Sequence, residues 1–355
     1  MESLVSSRCC GKSKGGSYSD PRYDTAVRDP CSLRPDIERA VIDGFALPLG
    51  IWPGDITPPK VGYTIGYSTG QDDEPDTYSF YVAVSHERVA SIVDRAFSLL
   101  PAEVSAIVEI SSRDAYRQTD IFLSEQPIPK DDFLSTWRRW QPVLLEDGSI
   151  AAGGNSEDPF VEIFVDQWKG VSIIVPLEMH DDVEELLRSF GLQEVSETWA
   201  VGDEKFALEN VRIRPVVASL DGMAADIDDI LLELRRDWQL ELNIDPDTNV
   251  DAVGRRLGMT LWHAVIGVHR HADESDRADM TIWATAGSLG QLESLIDAMF
   301  RDDDEWAIDE VFCTDRTAFD ERPDELKDLP PRRRDAGIHL VTIEPQGDEP
   351  KVPGS

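Results

Sequence analysis

The side chains best suited to chemistry are the six histidines, and three of them, His263, His269 and His271, fall in or just beyond one predicted strand. Alternation places His263, Val265, Gly267, His269 and His271 on a single face, next to the acidic run Asp273, Glu274 and Asp276. Neutral imidazoles beside carboxylates are the usual ligands of zinc or iron. At about 3.3 Å per residue, His263 and His269 stand roughly 20 Å apart, too far to share an ion. His269 and His271, roughly 7 Å apart, could share one if a further ligand came from elsewhere. The competing reading is an exposed polar strand face.

His86 and His180 each stand three residues before the first apolar position of a predicted helix, Val89 and Val183. The positive end of a helix keeps an imidazole neutral, as a general base requires. The third helix has Leu289 there, which favours an incidental helix-start histidine. Glu162 and Asp166 flank Phe164 on one strand face, but with 69 acidic residues such pairs arise by chance. Gly11-Lys12-Ser13 lacks the earlier glycine of a phosphate-binding loop. Gly153-Gly154 precedes Asn155 and a strand, so it reads as a loop and not as a dinucleotide fingerprint. Gly-x-Ser-x-Gly, His-Glu-x-x-His and paired Cys-x-x-Cys motifs do not occur, which removes several common enzyme classes. Trp168, with Lys169 and Gly170, occupies a tight turn between two strands. An exposed turn tryptophan is a candidate interaction anchor.

Electrostatics says more. Asp and Glu number 69 against 34 Lys plus Arg, a net charge of −35. A field of that sign repels phosphate backbones and anionic membranes and favours basic proteins or metal cations. The blander explanation is solubility, or function at high salt where screening relieves self-repulsion. Cys9, Cys10 and Cys31 cluster near the start and Cys313 stands apart. They form no spaced disulfide framework, which fits a reducing cytoplasm. No apolar signal segment follows the first residues, and the longest apolar run, Val171 to Leu177, is too short to span a bilayer.

The elements that must position these groups recur. Tyr63–Ser68 and Tyr78–Val84 read as strands joined by the acidic turn 71–76, followed by a helix capped by Ser85. Its stripe is Val89, Ile92, Val93, Ala96 and Phe97, and a strand from Val104 to Ile110 returns. A second copy runs through Phe160–Val165, Val171–Leu177, a helix with Val183, Leu186, Leu187 and Phe190, the capping Gly191, and Val195–Val201. The third comprises Leu261–Arg270, an acidic hairpin turn at Asp273-Glu274-Ser275-Asp276, Met280–Ala286, a helix with Leu292, Leu295, Ile296, Met299 and Phe300, and Trp306–Cys313. The linking segments also match: Asp131-Asp132-Phe133-Leu134 leads to Trp140-Gln141, and Asp228-Asp229-Ile230-Leu231 leads to Trp238-Gln239. Each reads as a helix, preceded by an extended stretch and followed by another at Pro142–Leu145 or Leu240–Ile244.

The sequence therefore predicts an α+β protein of repeated ββαβ, or βαβ-ββαβ, units, with antiparallel or mixed sheets packed against helices on one face. The expected divisions are a disordered leader at 1–34, units at 35–116, 117–205 and 206–319, and a Pro- and charge-rich tail at 320–355. The leading functional expectation is a cytoplasmic, non-enzymatic binding or inhibitor protein. It would engage a basic protein, bind neither nucleic acid nor membrane, and need no cofactor. Trp168, Asp273, Glu274 and Asp276 are its candidate contacts. The alternatives are a metal-dependent enzyme using His269 and His271 with nearby carboxylates, and a small-ligand sensor.

Overall fold

Apolar stripes on strands and helices must be buried together, and here they are buried as separate cores in two compact units. The computed structural model describes residues 32–54, 56–70, 75–199, 211–217, 227–301, 303–330 and 334–345. Most of the expected leader, residues 71–74 of the first acidic turn, the expected boundary at 205/206 and the final residues of the tail lie outside the described residues.

The N-terminal unit comprises Thr25–Ser111 and Thr119–Asn243. It begins with β1 (Val41–Ile42), β2 (Phe45–Ala46) and β3 (Ile51–Pro53), and continues with β4 (Gly62–Ser68), β5 (Thr77–Ala83), α1 (Val89–Ala96) and β6 (Glu103–Ser111). Next come β7 (Thr119–Ser124), β8 (Ile128–Pro129), α2 (Lys130–Glu146), β9 (Ile150–Glu157), β10 (Phe160–Val165), β11 (Val171–Pro176) and α3 (His180–Ser189). It closes with β12 (Val211–Ile213), α4 (Ile227–Trp238) and β13 (Leu240–Leu242). Nine strands form one antiparallel sheet in the order β13-β7-β6-β9-β10-β11-β5-β4, with β8 on β6. Stretches expected to form separate units, 35–116 and 117–205, thus share one sheet.

The helical stripes fill this core as their spacing requires: Val89, Ile92, Val93, Ala96 and Phe97 of the first helical segment and Val183 and Leu187 of α3 are each no more than 1% exposed. Gly191 stands just past the end of α3 at φ +71°, the left-handed conformation that a glycine cap supplies. Three local expectations are corrected. Pro142–Leu145 is not extended, because α2 runs through Pro142 to Glu146; burying Val143, Leu144 and Leu145 outweighs the hydrogen bond that proline removes. Gly153-Gly154 is not a loop but the middle of β9. A Cβ on Gly153 would lie 2.1 Å from the Ile163 carbonyl oxygen, and one on Gly154 would press on Val104 and the ring of Phe133. Ser85 stands at the N-cap position of the turn that leads into α1, but its side chain makes no capping hydrogen bond; the hydroxyl accepts from Ala46 N–H (2.8 Å) and donates to Glu87 (2.6 Å).

The C-terminal unit takes Ser112–Gln118 and the chain from Ile244 onward. Its sheet has the order β16-β14-β15-β17, where β14 is Thr260–Arg270, β15 Asp273–Ala286, β16 Trp306–Thr317 and β17 Gly337–Pro345. Helix α5 (Leu289–Arg301) buries Leu292 and Ile296 on it. Within this unit the buried Arg316 side chain donates to both oxygens of Asp114, to Asn249 Oδ1 and to the Val250 carbonyl.

The two clearest ββαβ segments differ in strand order. After β14, β15 and α5, strand β16 returns to pair with β14 of its own hairpin. After β4, β5 and α1, strand β6 lies beyond β11, β10 and β9 and never touches its own hairpin. In the second segment the expected return strand after α3 is reduced, within the described residues, to a single bridge between Glu194 and Tyr63. The shared element order therefore does not carry over into a shared pairing pattern. Among the described residues no helix is long and apolar enough to cross a membrane.

Candidate functional site

The densest set of buried charged groups lies in the N-terminal unit, where α2 ends. Carrying α2 through Pro142 delivers Glu146 to a site where its carboxylate is about 10% exposed. Arg39 grips it with two donors (2.5 and 3.0 Å), Leu49 N–H donates to it (2.8 Å), and His86 Nε2 lies 3.0 Å away. Arg39 also donates to the Leu47 carbonyl, and Gly50 N–H donates to the Glu146 carbonyl. Burial pushes the Glu146 carboxyl up, but hydrogen bonds from His86, Arg39 and Leu49 prevail and hold it at about 2.

The β10–β11 turn adds the next layer. Asp166 Oδ1 accepts from Trp168 N–H (2.8 Å) and Gly170 N–H (2.9 Å), and Oδ2 accepts from the Tyr81 hydroxyl (2.7 Å). Lys169 adopts φ +64° and turns inward, donating to the Ile150 carbonyl (2.5 Å). Burial pulls its ammonium down to about 8 against the opposing pull of Asp147, Asp166 and Glu146. Gly170 is required: a Cβ there would stand 2.1 Å from the Tyr81 hydroxyl oxygen. His86, Trp168, Lys169 and Trp199 border a cavity of about 10 Å³, room for roughly one water molecule.

Chemically this cluster holds rather than reacts. Glu146, the strongest candidate base, has its proton affinity suppressed by cationic partners, and Lys169 is committed to a carbonyl. Its visible effect is to fasten Arg39–Gly50 to the end of α2. Trp168, expected as an exposed anchor, is half-buried, its ring 5.6 Å from that of Trp199. The inward Lys169 and the Asp166 backbone contacts shape that turn. From sequence, Trp168-Lys169-Gly170 marks the turn, but the partnership of Glu146 with Arg39, 107 positions apart, leaves no local signal.

Elsewhere in this unit, His180, Asp181 and Glu184 are the one set of at least three possible ligand groups found close together among the described residues. Glu184 already accepts from Tyr63 (3.3 Å) and Arg188 (2.6 Å), and His180 packs 4.5 Å from the Tyr78 ring. Matched in sequence, His86 and His180 thus have different surroundings.

In the C-terminal unit, His269 Nδ1 lies 2.6 Å from Asp309 Oδ1, whereas His271 is exposed in the turn after β14. The two are not brought together with a third ligand group. Asp273, Glu274 and Asp276, expected to form the hairpin turn, instead begin β15, because the chain reverses at His271-Ala272. All three are exposed; Asp273 accepts from Ser275 and Asp276 pairs with Arg270 (2.7 Å). Arg270 also pairs with Glu305 and lies 4.5 Å over Trp306. The His263 ring lies 4.5 Å from that of Trp283, tilted by 36°, and burial lowers its proton affinity. An open cleft of about 540 Å³ beside Arg270 is lined by Met299, Asp303, Asp304 and Glu305.

No protein-family model, curated protein or solved structure matches the chain.

Proposed function

We propose that this chain is a non-enzymatic binding protein, of inhibitor type, that engages a cationic protein partner through its negative surface. The observation that carries the reading is the use made of its scarce basic groups. Arg39, Arg139, Arg188, Arg255, Arg270 and Arg316 are each paired with a carboxylate of the same chain. Each such pair cancels one charge of either sign, so the surplus of 69 acidic over 34 basic residues stays to act outward. Asp131 and Asp132 in the first turn of α2, and Asp181 and Asp182 in that of α3, are exposed. Such a field accelerates encounter with a basic surface and rejects anionic ones. The acidic β15 residues Asp273, Glu274 and Asp276 belong to it, in the cytoplasmic setting that the cysteine usage suggests. Metal catalysis at His269 and His271 has less support, since His269 is already engaged by Asp309.

The test is retention from a native host lysate at low and near-physiological salt, with bound proteins identified by mass spectrometry. One basic protein held stoichiometrically, and progressively lost as salt rises, supports the reading. Retention of no basic protein at either salt would overturn it.

A further inference from the structure

The described helices cover only one face of the nine-stranded sheet. Phe80, Val82, Val104, Ala106, Ile163 and Ile173 belong to the core beneath them, and none of the residues alternating with these does. Strand register places those alternating residues in continuous rows on the other face. One row crosses seven strands: Glu241, Leu123, Ile107, Gly153, Phe164, Ser172 and Tyr81. Its apolar part, Leu123 to Phe164, spans about 14 Å at the usual strand spacing. Glu109 flanks it two residues beyond Ile107, and Glu162 flanks it two residues before Phe164. Leu123, Phe164, Glu109, Glu162 and Glu241 are all partly exposed, and no described helix of this unit packs over them.

An apolar stripe edged by polar groups has the anatomy of an interface. We infer that this sheet face, which no described helix covers, is where the cationic partner docks, seating apolar side chains on the partly exposed Leu123 and Phe164 on either side of the buried Ile107, and Lys or Arg side chains against Glu109, Glu162 and Glu241. The inference rests on the proposed binding function and gives it a location. Charge complementarity selects the occupant, because a purely apolar partner would bury Glu109 and Glu162 with no cation acting on them, a costly arrangement, whereas Glu241 already feels Arg235. Burial already raises the proton affinity of Glu109, Glu162 and Glu241, as expected of carboxylates that gain from an incoming cation.

The test titrates the full chain with two labelled probes, a synthetic peptide alternating lysine and leucine and an oligolysine of equal charge. Wild type is compared with Glu109→Gln/Glu162→Gln, with Phe164→Ser, and with Asp94→Asn/Glu185→Gln, which removes the same charge from exposed positions on the helical side. The expected result is that the lysine–leucine peptide binds roughly ten-fold more weakly to both sheet-face variants and within about two-fold of wild type to the control. Removing half-buried carboxylates should leave the fold intact, as a melting curve would verify, so the glutamine pair decides even if Phe164→Ser unfolds. Equal weakening by the two charge-removing pairs would overturn this docking face while leaving the cationic-partner reading in place. Binding of neither probe to wild type would overturn both. A dimer in sedimentation that the sheet-face variants dissociate would assign the face to a second copy of the chain and overturn the inference.

Discussion

Replacing Glu146 by glutamine removes the group on which Arg39, His86 and Leu49 N–H converge while keeping its shape. Its carboxyl is displaced from an ordinary value of 4.5 to about 2, which corresponds to about 3 kcal/mol of folding free energy at neutral pH. The folded-state value is the lower one, so the unfolded chain binds the proton more readily. The contribution is therefore full above about pH 4.5 and is lost as pH falls towards 2. In urea titrations followed by tryptophan fluorescence, Glu146→Gln should be less stable than wild type by about 3 kcal/mol at pH 7. At pH 3 less than half of that difference should remain. Six of the nine tryptophans, Trp168 and Trp199 beside the cavity that His86 borders among them, lie in the N-terminal unit, so most of the signal reports on it. A difference that stays constant between pH 7 and pH 3, or one under about 0.5 kcal/mol at pH 7, would refute the assignment of Glu146 as the clamp.

Gly170→Ala should destabilise the same unit by about 2 kcal/mol or more, since its Cβ would meet the Tyr81 hydroxyl oxygen at 2.1 Å. Tyr81→Ala should absorb most of that cost, so a double-mutant cycle with no coupling between the two positions would count against the packing argument. In the C-terminal unit, Asp114→Ala strands the buried Arg316 guanidinium and should cost about 3–5 kcal/mol, lowering that unit's melting transition. An unchanged transition would show that the pair is not holding the Ser112–Gln118 segment.

What the sequence determined by itself is whatever depends on neighbours along the chain. The stripe of Val89, Ile92, Val93, Ala96 and Phe97 selects the buried face of a helix because the 3.6-residue period is local, and Gly191 ends α3 because its cap needs a left-handed residue. The net charge of −35, and the partners it disfavours, also need no coordinates. Tertiary structure decided what depends on distant partners. Gly153-Gly154 reads as a loop until β10 and Phe133 are seen to crowd it, and Pro142 reads as a terminator until Val143, Leu144 and Leu145 are seen in the core. Similar element order led to different pairing, because the meander β9-β10-β11 separates β6 from β5 while nothing separates β16 from β14. The histidines were visible as residues but not as partners: Glu146 reaches His86 across 60 positions and Asp309 reaches His269 across 40. Hydrogen bonds and ion pairs act over a few ångströms of space whatever the separation along the chain, so only the fold could show which imidazole was already engaged.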